Sequence, residues 1–145
     1  MKREIKFRAW DKVNKIMVVS NQLLHLEFDK DGVNWIGAWG SDYDSEGDQC
    51  QKTFQMEKDN FELMQFTGLK DENGKELYEG DVIRFEEPVY EKDILELPVM
   101  FLEGEFIALF DMGSQEHYIP LHEIGDFEVI GNIYESSLKE DYPSN

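Results

Sequence analysis

The chain contains one cysteine, Cys50, among its 145 residues. A single thiol cannot build an internal disulfide framework, and it cannot supply the several thiolates of a zinc cage. Stabilisation of the fold by internal disulfides or by a thiolate-bound zinc ion is therefore excluded within this sequence. We expect Cys50 to be a small, partly buried residue or a free surface thiol rather than a nucleophile.

Long apolar runs are also missing. No stretch approaches the roughly 18 apolar residues of a membrane-spanning helix. The opening residues, MKREIKFRAW, lack the apolar segment of a secretory signal, so we expect a cytoplasmic protein. The sequence has no glycine-rich phosphate loop, no serine or cysteine nucleophile signature and no internal repeat. These absences leave no catalytic or cofactor-binding residue to assign.

Basic residues are scarce, with 14 Lys and Arg against 32 Asp and Glu and a net charge of −18. The first fifteen residues carry +4 and the remaining 130 carry −22. An acidic body repels nucleic-acid phosphates, so direct DNA or RNA binding is not expected. Four basic residues near the start could form a local stripe, although we favour an edge strand protected by charge. They are Lys2, Arg3, Lys6 and Arg8.

Apolar and aromatic residues are plentiful, at 41% and 13% of the chain. That content can fill a core, and aromatic residues favour strands. The length fits one ordinary domain or two small lobes that share a core. Short strand-like segments at regular spacing, separated by glycine-bearing turns, predict a mainly β protein built as a small barrel or sandwich.

Residues 63–85, LMQFTGLKDENGKELYEGDVIRF, give the strongest local signal. Asn73-Gly74 predicts a type I′ hairpin turn, which requires positive φ at both central residues. Asp71 precedes the turn and is expected to bond its backbone. Two glycines are expected to bend the chain, the first as a bulge or kink and the second as a turn: Gly68 and Gly80.

The same stretch carries five carboxylates, which could be interpreted as a catalytic cluster. They are Asp71, Glu72, Glu76, Glu79 and Asp81. Turns favour Asp and neighbouring polar residues for local reasons, so we favour solvated turn residues with no catalytic role.

The remaining elements are predicted from the alternation of apolar and polar residues and from the glycines and turn residues that interrupt it. We predict a hairpin over residues 4–19 and a strand over 24–28, with a helix over 22–27 left open. Gly37 and Gly40 punctuate the aromatic segment that follows. Residues 54–66 are expected to hold a short helix around 56–60 or an irregular lead-in.

In the second half, Pro88 and Pro98 argue against a central strand, so residues 90–97 are expected to form a loop or a short helix. Three later strands are predicted, over 99–102, 105–110 and 127–134, with Gly131 marking a bulge or close packing against another backbone in the last.

Residues 41–49 form an acidic segment that imitates the opening of a calcium loop through Asp42, Asp44, Glu46 and Gly47. A calcium loop of that kind needs a bidentate Glu at its twelfth position, which here is Thr53. We therefore expect a mobile loop that holds no metal.

Two of the three histidines, His117 and His122, lie near each other, and His25 is far away in sequence. Their spacing matches no metal-binding pattern, and no cysteine lies nearby. No metal ligand is assigned, and the role of His117 and His122 stays open.

Three segments in order, IKFRAWD, LMQFTGLKDENGKELYEGDVI and FEVIGNIYE, resemble the YopX-like proteins of phages and prophages of Gram-positive bacteria. The resemblance spans residues 4–135. It implies a phage or prophage origin, and hence the cytoplasm of a bacterial host. It also implies a smaller β-rich N-terminal portion, residues 1–60, and a C-terminal SH3-like β-barrel, residues 61–138, before a frayed tail at 139–145.

The family that this resemblance indicates has no established biochemical activity, so it supplies no catalytic residues. The chain departs from the family's commoner pattern in two acidic inserts, at residues 41–48 and 86–96. A partner bound by these inserts would be particular to this member.

We expect a non-enzymatic protein that binds a host or phage protein, with homo-oligomerisation left open. Four aromatics suit an interface, and core packing is the alternative for each: Trp10, Trp35, Trp39 and Phe101. A second hypothesis is a DNA mimic that occupies a nucleic-acid-binding protein, since the body of the chain is so acidic. A metal-dependent enzyme using pairs such as Asp42 and Asp44 is the third, but acidic pairs arise by chance here.

Overall fold

The computed structural model describes residues 2–43, 45–88, 93–111 and 116–135. The predicted tail at 139–145 lies outside these residues. Within them the chain is mainly β, as predicted, with no α-helix and two 3₁₀ turns, at Ser20–Gln22 and Leu121–Glu123. No helix in the described part of the chain is long and apolar enough to cross a membrane.

Twelve strands are present in the described residues. They are β1 Phe7–Asp11, β2 Ile16–Val18, β3 Leu23–Asp29, β4 Gly32–Tyr43, β5 Gln49–Glu57, β6 Phe61–Lys70, β7 Glu76–Tyr78, β8 Asp81–Glu86, β9 Ile94–Leu102, β10 Glu105–Asp111, β11 Glu116–Pro120 and β12 Phe127–Asn132.

The chain divides into two units, and the boundary falls within β6. The N-terminal unit is Lys6–Gln65, and the C-terminal unit comprises the described parts of Met1–Ile5 and Phe66–Asn145. Each unit has its own hydrophobic cluster. Burial of apolar surface in these clusters is the main force that holds each unit together.

In the N-terminal unit, β1 pairs antiparallel with β2 on one side and with β6 on the other. The hairpin predicted over residues 4–19 is confirmed, with its first strand starting at Phe7. Because β1 has two partners, the interpretation of the basic segment as an edge strand is wrong. The unit's core comprises Ala9, Val18, Ile36, Ala38, Met56 and Phe61.

The other sheet of this unit has the order β3-β4-β5. The strand predicted over residues 24–28 is confirmed, and the helix over 22–27 is wrong. In β3, Leu26 packs against the core while His25 and Glu27 are exposed. That alternation has the period of a strand, which explains why a helix does not form.

Strand β4 runs through Gly37 and Gly40 without interruption and pairs with β5 as far as Tyr43 and Gln49. The loop predicted over residues 41–49 is therefore too long, because both of its ends are strand. Asp44 lies outside the described residues. Ladder hydrogen bonds along β4 and β5 outweigh the polar composition that predicted a loop.

The helix predicted around residues 56–60 is wrong, and the chain there is not an irregular lead-in either. β5 continues to Glu57, and a tight turn leads into β6 at Phe61. The Asn60 amide donates to the Glu57 carbonyl over 3.0 Å. Asp59 adopts φ 74°, a left-handed conformation that Asp tolerates better than most residues.

In the C-terminal unit, five strands form a sheet in the order β11-β10-β9-β8-β12, and the end of β6 pairs with β7. The predicted bulges are confirmed, because the register shifts around Gly68 and before Gly131. The core comprises Leu77, Ile83, Phe85, Leu97, Val99, Ala108, Leu121 and Val129.

The loop or helix predicted over residues 90–97 is wrong from residue 94 onward, because Ile94 opens the central strand β9; residues 89–92 lie outside the described residues. Pro98 is fully buried within this strand, opposite Val82 of β8. The pairing of β9 with β10 ends at Val99 and Ala108. Pro98 therefore lies where its strand has one paired neighbour, and a missing N–H is tolerated there.

The type I′ turn predicted at Asn73-Gly74 is wrong, since Gly74 has φ 82° but Asn73 has no positive φ. The loop instead spans residues 71–75, between the paired Lys70 and Glu76. Two consecutive positive φ values, 50° and 88°, occur at Glu103-Gly104 in the β9–β10 hairpin. Those are the signs that a type I′ turn requires.

Ile83 and Ile94 provide a matched test of the C-terminal core. Ile83 is fully buried, whereas Ile94 is 64% exposed. We expect Ile83→Ala to lower the free energy of unfolding by about 2–5 kcal/mol through lost burial and a residual cavity. Ile94→Ala should stay within about 0.5 kcal/mol. Urea unfolding measures both, and equal losses would contradict this assignment of the core.

Candidate functional site

The five carboxylates of the central stretch do not share one environment. Asp71 and Asp81 are buried, with 7% and 2% exposure, while Glu72 is exposed and Glu76 and Glu79 are half-buried. The interpretation as solvated turn residues is therefore wrong for the two aspartates. A buried carboxylate needs hydrogen bonds to replace its lost hydration.

Asp71 obtains these hydrogen bonds from backbone amides. Its Oδ1 accepts from the amides of Asn73 and Lys75, at 2.9 and 2.8 Å. Its Oδ2 accepts from the Val129 amide at 2.9 Å, across 58 residues of sequence. One side chain therefore closes the 71–75 loop and attaches it to β12.

These contacts also set the charge state of Asp71. The hydrogen bond from the Val129 amide is the largest cause that holds the pKa of Asp71 below the ordinary 3.8, against the opposing effect of burial. The amides of Lys75 and Asn73 and the charge of Lys75 lower the pKa further. All of these favour the ionised form, which accepts hydrogen bonds.

Among the described residues, three other buried polar side chains also accept hydrogen bonds from nearby backbone amides: Asp11, Asp81 and Asn132. Asp11 Oδ1 accepts from the amides of Val13 and Asn14, at 2.9 and 3.0 Å. Asp81 Oδ2 accepts from the Tyr78 amide at 2.8 Å. Hydrogen bonds to nearby amides indicate that these carboxylates shape turns, which is a common local role of aspartate.

The other candidate ligands are not brought together. His117 lies in β11 and His122 in the second 3₁₀ turn, both exposed, and His25 lies in β3 of the other unit. His122 Nε2 is 4.0 Å from Glu123 Oε1. In residues 2–43, 45–88, 93–111 and 116–135, no group of three or more His, Cys, Asp or Glu could hold a metal ion.

Cys50 and the acidic segment that resembles the opening of a calcium loop lie together on the β4–β5 hairpin. Cys50 is free and half-buried, and it pairs in register with Asp42. Asp44 is outside the described residues. Because the carbonyls of paired strands accept ladder hydrogen bonds, the hairpin has a different backbone from the turn-rich calcium loop.

The basic residues near the start differ in exposure. Lys2 and Arg3 precede β1 and are exposed, while Lys6 and Arg8 are half-buried. The four therefore do not form a uniformly exposed stripe.

The four aromatics proposed for an interface separate into core and surface. Trp10 is buried, at 6% exposure, so core packing describes it. Phe101 is 53% exposed and packs edge-on against Phe106, with ring centroids 5.1 Å apart. Trp35 and Trp39 are half-buried, both on β4. Three of the four therefore retain accessible aromatic surface.

Trp35 and Trp39 share the exposed side of the β3-β4-β5 sheet, since its opposite side carries core residues such as Ile36 and Met56. Directly paired residues point to the same side of a sheet. We call this side the tryptophan face. It consists of three rows, Glu27–Trp35–Glu57, His25–Gly37–Gln55 and Trp39–Thr53.

A groove of about 460 Å³ opens on the tryptophan face, with His25, Trp35, Gly37, Thr53 and Gln55 among its lining residues. The His25 and Trp35 rings meet edge to face, with centroids 5.2 Å apart and an interplanar angle of 72°. A Cβ on Gly37 would lie 3.4 Å from carbons of both His25 and Trp35. The missing side chain therefore lets the indole lie close over the strand.

The second indole is fixed by a hydrogen bond, because Trp39 Nε1 donates to the Asn21 carbonyl over 3.1 Å. Two held indoles beside polar Thr53 and Gln55 can offer both apolar and hydrogen-bonding contacts. Tryptophan is the residue type most enriched at the energetic centre of protein interfaces. The tryptophan face is therefore the candidate site, and it is suited to contacting another polypeptide.

Comparison with known proteins places the chain among proteins of similar sequence and fold. The family model described as "YopX protein" matches residues 6–139. Protein EF1440 from Enterococcus faecalis has 25% identity and a TM-score of 0.59, over 92% of this chain and 96% of that one. Protein yopX from Bacillus subtilis has 19% identity and a TM-score of 0.54, over 90% and 94%. No curated protein matches the chain.

Substitution of Asp71 tests its role as a hydrogen-bonded anchor. Asp71→Asn places an amide group where two oxygens now accept three backbone N–H groups, so at least one buried donor loses its partner. We expect a clearly lower midpoint of urea unfolding than in the wild type. Glu72→Gln, at the exposed neighbouring position, should leave the midpoint nearly unchanged.

The difference in urea-unfolding midpoint between the wild type and Asp71→Asn should depend on pH, because the pKa of Asp71 is lowered. The unfolded chain binds the proton at higher pH than the folded chain, so this contribution to stability is present above the ordinary 3.8 and is lost as pH falls through the folded value. The gap in midpoint between wild type and Asp71→Asn should therefore narrow from about pH 6 to about pH 3. A gap that stays constant across this range would rule out the anchor.

Proposed function

The chain belongs to the YopX family, and from that premise we propose that it is a non-enzymatic binding module whose partner is another protein. The observation that carries the proposal is the tryptophan face, where Trp35 and Trp39 are held in place on an exposed sheet surface. A fixed aromatic side chain loses little conformational entropy on binding, so its contact area is available for affinity.

The surroundings of the two indoles support this function. Exposed Glu27, Thr53, Gln55 and Glu57 surround them, which gives the polar rim typical of protein interfaces. The groove beside Trp35 offers a recess for a side chain or a short segment of a partner. Aromatic anchors inside a polar rim are the arrangement in which a few residues supply most of the binding energy.

The proposal assigns no catalytic role to the buried carboxylates. Asp11, Asp71 and Asp81 accept hydrogen bonds from backbone amides of their own turns, and Asp71 also from β12. Those contacts support a structural function for these three aspartates, two of which, Asp71 and Asp81, belong to the carboxylate cluster of the central stretch. We accordingly propose that the protein is not an enzyme.

Two finer statements belong to the same proposal. We propose that the strands within residues 61–138 close into an SH3-like barrel, which the continuous order β11-β10-β9-β8-β12 around one core supports. We also propose a phage or prophage origin and action in the cytoplasm of a bacterial host. The support for origin and compartment is the resemblance of the three sequence segments.

A second candidate function is a DNA mimic, favoured by the net charge of −18. Such a protein would occupy the nucleic-acid-binding surface of a basic partner and be displaced by DNA or by salt. High acidity also serves solubility, so the charge alone does not discriminate. The two functions differ in whether DNA and the partner compete.

Capture of partners by tagged protein from a Gram-positive bacterial lysate tests the proposed function. Wild type and Phe101→Ala should retain the same partner, because Phe101 lies in the other unit. Trp35→Ala should reduce retention at least tenfold, in the range for loss of an interface anchor. Circular dichroism melting of each variant checks that it is folded.

Two outcomes would count against the proposal. Equal capture by wild type and Trp35→Ala would remove the tryptophan face as the binding site. Displacement of the partner by competing DNA, with no effect of Trp35→Ala, would instead support the DNA mimic.

A further inference from the structure

The first row of the tryptophan face places a tryptophan between two glutamates. Glu27 of β3 and Glu57 of β5 are the direct partners of Trp35 in β4. Neighbouring strands lie about 4.8 Å apart, so the two glutamate backbones are separated by about 10 Å with Trp35 of β4 between them. From this row we propose that the tryptophan face recognises an arginine side chain of a partner protein, an inference that rests on the proposed function.

The accessibility of these groups fits such a ligand. The Glu27 side chain is 60% exposed, Glu57 is exposed, and Trp35 is half-buried. His25 packs its ring at 72° to the Trp35 indole, which holds the indole in place before any ligand arrives. A ring that is already positioned binds with a smaller entropy loss than one that must be ordered.

The chemistry of the row matches a guanidinium group. Trp is the strongest aromatic partner of a cation, and the attraction extends to about 6 Å from the ring. The planar guanidinium stacks on an aromatic ring while its N–H groups donate to carboxylates, a combination that a lysine ammonium makes less well. Glu27 and Glu57 pair with Trp35 from the strands on either side of β4, so their carboxylates are placed to accept from a cation bound on the indole.

The charge of the protein points to the same kind of partner. The net charge of −18 attracts basic proteins over distances of about the Debye length and repels acidic ones. Within the three rows, no lysine or arginine is present to occupy the position between the glutamates. The face and the whole chain therefore favour a basic polypeptide.

The groove gives room for the residues that flank the arginine. It is lined by Trp35 and Gly37 and extends toward Thr53 and Gln55. These two polar side chains can exchange hydrogen bonds with the main chain of a bound segment. Trp35 would thus bind the arginine head while Thr53 and Gln55 contact the peptide backbone.

The test uses the full chain labelled with ¹⁵N and a five-residue peptide that has one central arginine between threonine and glycine residues. A matched peptide carries citrulline, which keeps the shape but loses the charge. The Trp35 indole N–H resonance is identified by its absence in Trp35→Phe. We expect the arginine peptide to shift it saturably at physiological salt and the citrulline peptide to bind roughly tenfold more weakly.

Two double variants separate local contacts from overall charge. Glu27→Gln with Glu57→Gln should weaken the arginine peptide roughly tenfold. Glu72→Gln with Glu86→Gln makes the same change in net charge at exposed positions of the C-terminal unit and should stay within about twofold. The spectra also report whether each variant is folded. Equal binding of the citrulline peptide, or equal weakening by both double variants, would overturn the inference.

Lysate capture with the same variants separates this inference from the proposed function. A partner lost from both Trp35→Ala and the Glu27/Glu57 double variant supports both ideas. A partner lost from Trp35→Ala but fully kept by the double variant supports the protein-binding function and overturns arginine recognition. A partner kept by both variants overturns both, since neither the indole nor the carboxylates then contribute.

Discussion

The carboxylate of Asp71 is the contact on which the C-terminal unit depends most directly. Its two oxygens satisfy amides of the 71–75 loop and the amide of Val129, so a local bend and a strand 58 residues later share one acceptor. A second bond, from the Glu72 amide to the Phe127 carbonyl, ties the same loop to the same strand. A buried N–H group without a hydrogen-bond partner lowers the stability of the fold, so the 71–75 loop and β12 must order together.

Sequence reasoning anticipated half of this contact. That Asp71 bonds its own backbone follows from turn chemistry, which is local. The bond to Val129 depends on how β12 docks, which no local pattern contains. The same limit explains the Asn73-Gly74 error, since the preference for a type I′ turn was outweighed by a wider loop closed on Asp71. The prediction that Pro98 argues against a central strand is wrong for a related reason. Whether a strand tolerates a proline at this position depends on where the β9–β10 pairing ends.

The sequence could predict which residues of β4 lie on the tryptophan face, but it could not predict their neighbours on the adjacent strand. Alternation along β4 puts Trp35, Gly37 and Trp39 on one side, and that can be deduced from sequence. The neighbours of Trp35 cannot be deduced from the sequence, because Asn34 is an extra residue in β4 that shifts the pairing of β3 with β4 between Glu27 and Phe28. Without that bulge, pairing β3 and β4 residue by residue from their connecting turn would make Leu26 the partner of Trp35. A one-residue shift thus decides whether the indole has an apolar or an anionic neighbour.

Acidic residues therefore serve two opposite purposes in this chain, and composition does not separate them. Asp71 is buried and its oxygens accept backbone amides, so its charge stabilises the fold. Glu27 and Glu57 are exposed beside an aromatic ring, so their charge is available to a ligand. A net charge of −18 by itself favours a DNA mimic as much as a binding module. The neighbours of each carboxylate, an amide in one case and an indole in the other, are what assign its role.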